Sequence, residues 1–151
     1  MKIRTDYVTN SSSSSFILGF NNLEEIADTI KRELPSYWSE DAIQRVISDI
    51  EDGIISKEKA VEEYKDNISC WEWSFNGKTC WEMTWEEMQS KEYIDFRESR
   101  KNELAKTFLD ELNKYDIFSI VEYEDHTTLG SELEHNVMPY LDNTIRRFSH
   151  H

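Results

Sequence analysis

The dipeptide Asn76-Gly77 is the strongest local constraint in this 151-residue chain. It supplies the positive backbone angles that a two-residue turn requires, and it separates residues 68–75 from 78–83, so an antiparallel hairpin is predicted there. In that register Phe75 pairs with Lys78, Trp73 faces Cys80 and Cys70 faces Met83. Cys70 and Cys80 then fall on opposite faces, and no disulfide is expected between them. Trp71, Trp73 and Phe75 share one face, an aromatic stripe that reads as core. The residues interleaved with it are not lysine or arginine, which weighs against a base-stacking platform.

The flanking sequence predicts further elements. Residues 2–8 alternate Ile3, Thr5 and Tyr7 with Lys2, Arg4 and Asp6, the pattern of a half-buried strand. Residues 9–15 read as a polar loop, because serine and asparagine side chains compete for backbone hydrogen bonds, and residues 16–20 resume as a strand. Asn22 with Glu25 signals a helix start, Pro35 its stop, and Ser39 and Ser56 begin two more helices. Thr84 with Glu87 repeats the capping pattern and opens a helical region to about Asn113, broken near Ser90. Residues 117–124 read as a strand, 125–130 as a loop, Ser131 as the cap of a short helix, and 144–149 as a final strand.

Composition narrows the function classes. There are 31 acidic and 17 basic residues, a net charge of −14, which disfavours direct nucleic-acid binding. No apolar window approaches the roughly 18 residues of a membrane helix, and residues 1–7 do not resemble a secretion signal, so a cytoplasmic protein is expected. Two cysteines are too few for a disulfide framework or a cysteine zinc site. With 38% hydrophobic residues, 4 Gly and 2 Pro, one globular domain over residues 1–151 is expected.

All four histidines lie in the last thirty residues: His126, His135, His150 and His151. Imidazoles among carboxylates can bind a divalent metal or move protons. Glu132 and His135 have the spacing that metal ligands use on one helix, so His126, Glu132, His135 and His151 are candidate metal ligands. His126, Glu134, His135 and His150 are candidate catalytic groups. Asn10, Ser11, Ser12, Ser13, Ser14 and Ser15 form a candidate anion-binding loop. The loop lacks the lysine of a nucleotide-binding loop, which excludes that reading.

Lys2-Ile3-Arg4-Thr5-Asp6-Tyr7-Val8-Thr9-Asn10, followed by five serines and Phe16, resembles the start of a diffuse set of small bacterial and phage proteins. Leu133-Glu134-His135 and the closing Phe148-Ser149-His150-His151 are similar to the same set. Tyr7 stands where the set has Phe, and Asn136 where it has Gly. The resemblance implies a mobile-element setting and ends that meet in space, without implying a reaction.

Together these readings predict an α+β domain, a mostly antiparallel sheet of five or six strands with helices on one face and the hairpin near its centre. The expected function is an acidic interaction protein or inhibitor, of anti-CRISPR or other anti-defence type, with a protein partner that handles nucleic acid. The alternative is a metal- or histidine-dependent hydrolase or nuclease using the C-terminal histidines and the serine loop.

Overall fold

The computed structural model of the chain describes residues 13–150. The predicted strand over 2–8 and the candidates Asn10, Ser11, Ser12 and His151 lie outside them. The fold is α+β, and its sheet is antiparallel. The chain divides into two compact units, the described part of Met1–Ala60 with Leu112–His151, and Val61–Glu111.

In the first unit, strand β1 (Ser13–Phe20) pairs with both β3 (Ile117–Glu124) and β4 (Thr144–His150), and a two-residue β2 (Ile54–Ile55) flanks β3, giving the order β2-β3-β1-β4. Ser13 stands opposite both Glu124 and His150, so the two ends of the described chain meet at one end of the sheet. The expected loop at Ser13, Ser14 and Ser15 is instead the start of β1. Pairing on both sides satisfies the backbone there, which removes the reason for these serines to break regular structure.

Helix α1 (Leu23–Glu33) begins where Asn22 Oδ1 accepts from the Glu25 N–H, and α2 (Glu40–Asp52) begins where Ser39 Oγ accepts from Ala42. Ile26 and Ile30 of α1 and Val46, Ile47 and Ile50 of α2 pack on Phe16, Leu18 and Phe20, alternate residues of one sheet face. Each such fully buried side chain contributes roughly 1.5–3 kcal/mol. Buried Ser119 Oγ donates to the Ile50 carbonyl at 2.6 Å, fixing β3 to the end of α2.

Helix α3 (Lys57–Asp66) is capped by Ser56, whose Oγ accepts from Lys59. Within Val61–Glu111 the predicted turn is present, with φ of 52° at Asn76 and 79° at Gly77 and reciprocal Phe75–Lys78 backbone bonds. The two long strands are not. Pairing ends at that single bridge, because Glu82 accepts from the Thr79 N–H and winds Cys80–Glu82 into a 3₁₀ turn. The hairpin therefore adds no strand to the sheet, which has four strands among the described residues. The aromatic stripe also divides: Trp73 and Phe75 pack on Phe96, while Trp71 stacks on Trp81. Cys70 and Cys80 are free thiols.

Thr84 and Glu87 cap each other's backbone at the start of α4 (Trp85–Met88), and Ser90 Oγ, accepting from Tyr93, separates it from α5 (Lys91–Leu112). No helix of the described residues is long and apolar enough to cross a membrane.

Candidate functional site

Past β3 the backbone enters α6 (Thr128–Glu132) earlier than predicted, because Thr127 rather than Ser131 is the cap: its Oγ1 accepts from the Gly130 N–H at 2.9 Å. Gly130 lies so close to β3 that an added Cβ would stand 2.1 Å from the Glu124 carbonyl oxygen, so glycine is required. Directly after α6, Leu133–Val137 forms a π-helical turn. Such turns have one extra residue in the ring and recur at functional sites. This one carries Leu133 and Val137 into the core and turns Glu134 fully inward, at 0% exposure.

A buried carboxylate is costly unless hydrogen-bonded and paired. Ser14 Oγ donates to Glu134 Oε1 at 2.9 Å, and Arg147 Nη2 lies 3.8 Å from the same oxygen. Arg147 also donates to Ser14 Oγ from Nε and Nη2, both at 3.2 Å, and its guanidinium lies 5.8 Å from the Phe16 ring centroid. β1, β4 and the π-turn are thus tied by one charge-assisted network. On the outer side, His135 Nε2 lies 3.6 Å from Glu134 Oε2. Asp125 joins them, so that Asp125, Glu134 and His135 each bring one ligand-type atom within 4.8 Å of the others.

The predicted candidates do not all converge. Strand alternation puts Ser14 on the face of Phe16 and Leu18, and Ser13 and Ser15 on the other. His150 follows Ser15 there: Ser15 Oγ and His150 Nε2 are 2.9 Å apart, across the sheet from Glu134. His126 Nδ1 lies 2.7 Å from Glu124 Oε2 and lines a separate hollow of about 510 Å³ with Arg45, Asp49, Tyr123 and Thr127. Burial pushes the Tyr123 hydroxyl pKa up, with Asp49 beside it adding to the rise; the hydroxyl donates to Asp49 Oδ2 at 3.2 Å. Glu132 accepts from Asn136 Nδ2 at 2.9 Å, so the Glu132/His135 spacing does not form the gathered group. Asp125 and Arg147 are the members absent from the candidate lists, while Ser14 was a candidate for anion binding and here donates to a carboxylate. The signal for Ser14 was its place two residues before Phe16, on the same strand face.

Val61–Glu111 presents a different kind of site. Trp71, Trp81 and Trp85 are 55%, 74% and 70% exposed. The first two stack at 4.5 Å between ring centroids, and Trp85 opens α4. Exposed Glu72, Glu82 and Glu86 adjoin them in sequence. Trp71 also borders a hollow of about 290 Å³ shared with Cys70, Met88, Tyr93 and Arg97.

No family model matches the chain, and neither a curated protein nor a solved structure matches it significantly. Function has to follow from the chemistry of these two regions.

Proposed function

We propose that the chain is an acidic interaction protein that occupies the basic surface of a nucleic-acid-handling protein, an inhibitor of the anti-defence kind carried by phage or other mobile DNA. The observation that carries this is the exposure of Trp71, Trp81 and Trp85 beside glutamates. Scattered apolar surface is ordinary, whereas three large aromatics in water within fifteen residues are not. Tryptophan is the residue most enriched at interface hot spots. Its ring face attracts arginine and lysine, and the net charge of −14 steers such surfaces towards it. The occupant that fits is therefore cationic, the kind of surface that otherwise holds nucleic acid.

The test uses the immobilised chain and the heparin-retained fraction of a bacterial lysate. Bound proteins are expected to be released by duplex DNA and lost when Glu72→Lys and Glu86→Lys are combined, while His135→Ala and chelation leave binding intact. Binding that ignores DNA and the charge reversal would end this reading.

The second reading, a histidine-dependent hydrolase or nuclease, draws on the 2.9 Å Ser15–His150 contact, the pairing a nucleophile and its base require. Loss of a hydrolytic activity in both Ser15→Ala and His150→Gln would favour it over the interaction reading.

A further inference from the structure

We infer that Asp125, Glu134 and His135 form a binding site for one divalent first-row transition ion, which clamps the loop after β3 to the π-turn. This rests on neither functional reading above. The three side chains come from two segments of backbone, and one ligand-type atom of each lies within 4.8 Å of the other two. Ligands held about 2.0–2.2 Å from such an ion stand roughly 3–3.5 Å apart at tetrahedral angles. The 3.6 Å between Glu134 Oε2 and His135 Nε2 is close to that edge and longer than a hydrogen bond. Two carboxylates and one imidazole suit manganese, iron or zinc.

The second observation concerns how Glu134 is held. Its other oxygen accepts from Ser14 and lies near Arg147, residues of β1 and β4, and this fixes the carboxylate plane. Hydrogen-bonded support behind a ligand is what orients a metal site and tunes its affinity. The burial of Glu134 contrasts with the partial exposure of Asp125 and His135, so the ion would enter from their side. Bound there, it would tie the segment after β3 to the turn that the Ser14–Glu134–Arg147 network joins to β1 and β4.

The full chain, stripped with chelator and dialysed, is titrated with MnCl₂ and separately with ZnCl₂ by calorimetry, with thermal unfolding in parallel. One ion per chain and a rise in Tm are expected. Asp125→Asn and His135→Gln, both at partly exposed positions, should each weaken binding at least tenfold while the metal-free Tm stays near wild type. Glu134→Gln tests the third ligand only if it keeps the wild-type circular dichroism. The proposal is overturned if neither salt binds at one per chain, or if both single variants bind as wild type does. It is also overturned if binding is lost in His150→Gln and kept in His135→Gln, which would place the ion at the chain end.

Discussion

The two regions invert the usual distribution of side chains in opposite directions. At the sheet end a carboxylate is buried among strands and a π-turn; in Val61–Glu111 three tryptophans stand in water. Burying Glu134 is offset within the fold, since Ser14 donates to it and Arg147 lies beside it, so the inversion there locks β1, β4 and the turn together. The tryptophans differ in that stacking of Trp71 on Trp81 covers only part of each ring. An inversion offset internally points to architecture and ligand binding, and one left open to solvent points to a partner.

The largest expected effect lies at the buried carboxylate. Glu134→Ala deprives the Ser14 hydroxyl of its acceptor and the Arg147 guanidinium of the carboxylate beside it, and should cost about 3 kcal/mol in urea unfolding, the low end for a broken buried pair because Arg147 is about a third exposed. A loss under about 1 kcal/mol would break the comparison, showing that the network holds little. Next comes Gly130→Ala, whose new Cβ must push against the Glu124 carbonyl, with an expected loss of about 2 kcal/mol in the same assay.

Smaller again is Tyr123→Phe, which removes the bond to Asp49 and should cost about 1 kcal/mol at neutral pH. The raised pKa of Tyr123 fixes the sign of its pH dependence. The folded state keeps the proton longer than the unfolded one, so its contribution is complete below about pH 10 and lost as pH rises further. Unfolding between pH 8 and 11.5 should therefore show a steeper alkaline decline in the wild type than in Tyr123→Phe. The smallest effect on stability belongs to Trp71→Ala, Trp81→Ala and Trp85→Ala, each expected to change unfolding free energy by about 0.5 kcal/mol or less. A cost of several kcal/mol would move these residues from surface to core and sharpen the contrast away.

Local signals were legible where backbone chemistry decides. Asn22, Ser39, Ser56 and Thr84 all cap helices as their positions predict, and β3 spans the predicted residues 117–124. Asn76-Gly77 forms its turn for the same reason. Strand extent was not legible, because it depends on neighbours far along the chain. Residues 68–75 and 78–83 have the strand pattern but pair only at the Phe75–Lys78 bridge, while Ser13 to Ser15 lack the pattern and gain β3 and β4 as partners. The site was half legible. Glu134 and His135 were recognised as candidates, but Asp125 and Arg147 join them through the antiparallel return of β4 and the π-turn, which one-dimensional spacing does not encode. For the same reason His126, at a neighbouring position in sequence, faces a different hollow.

The exposed tryptophans are the proposed binding surface. The most direct measurement compares capture of the heparin-retained fraction by the wild-type chain and by the Trp71→Ala/Trp81→Ala/Trp85→Ala variant, with both shown to be equally folded. At least tenfold lower capture by the variant is predicted; equal capture by the two proteins would contradict the account.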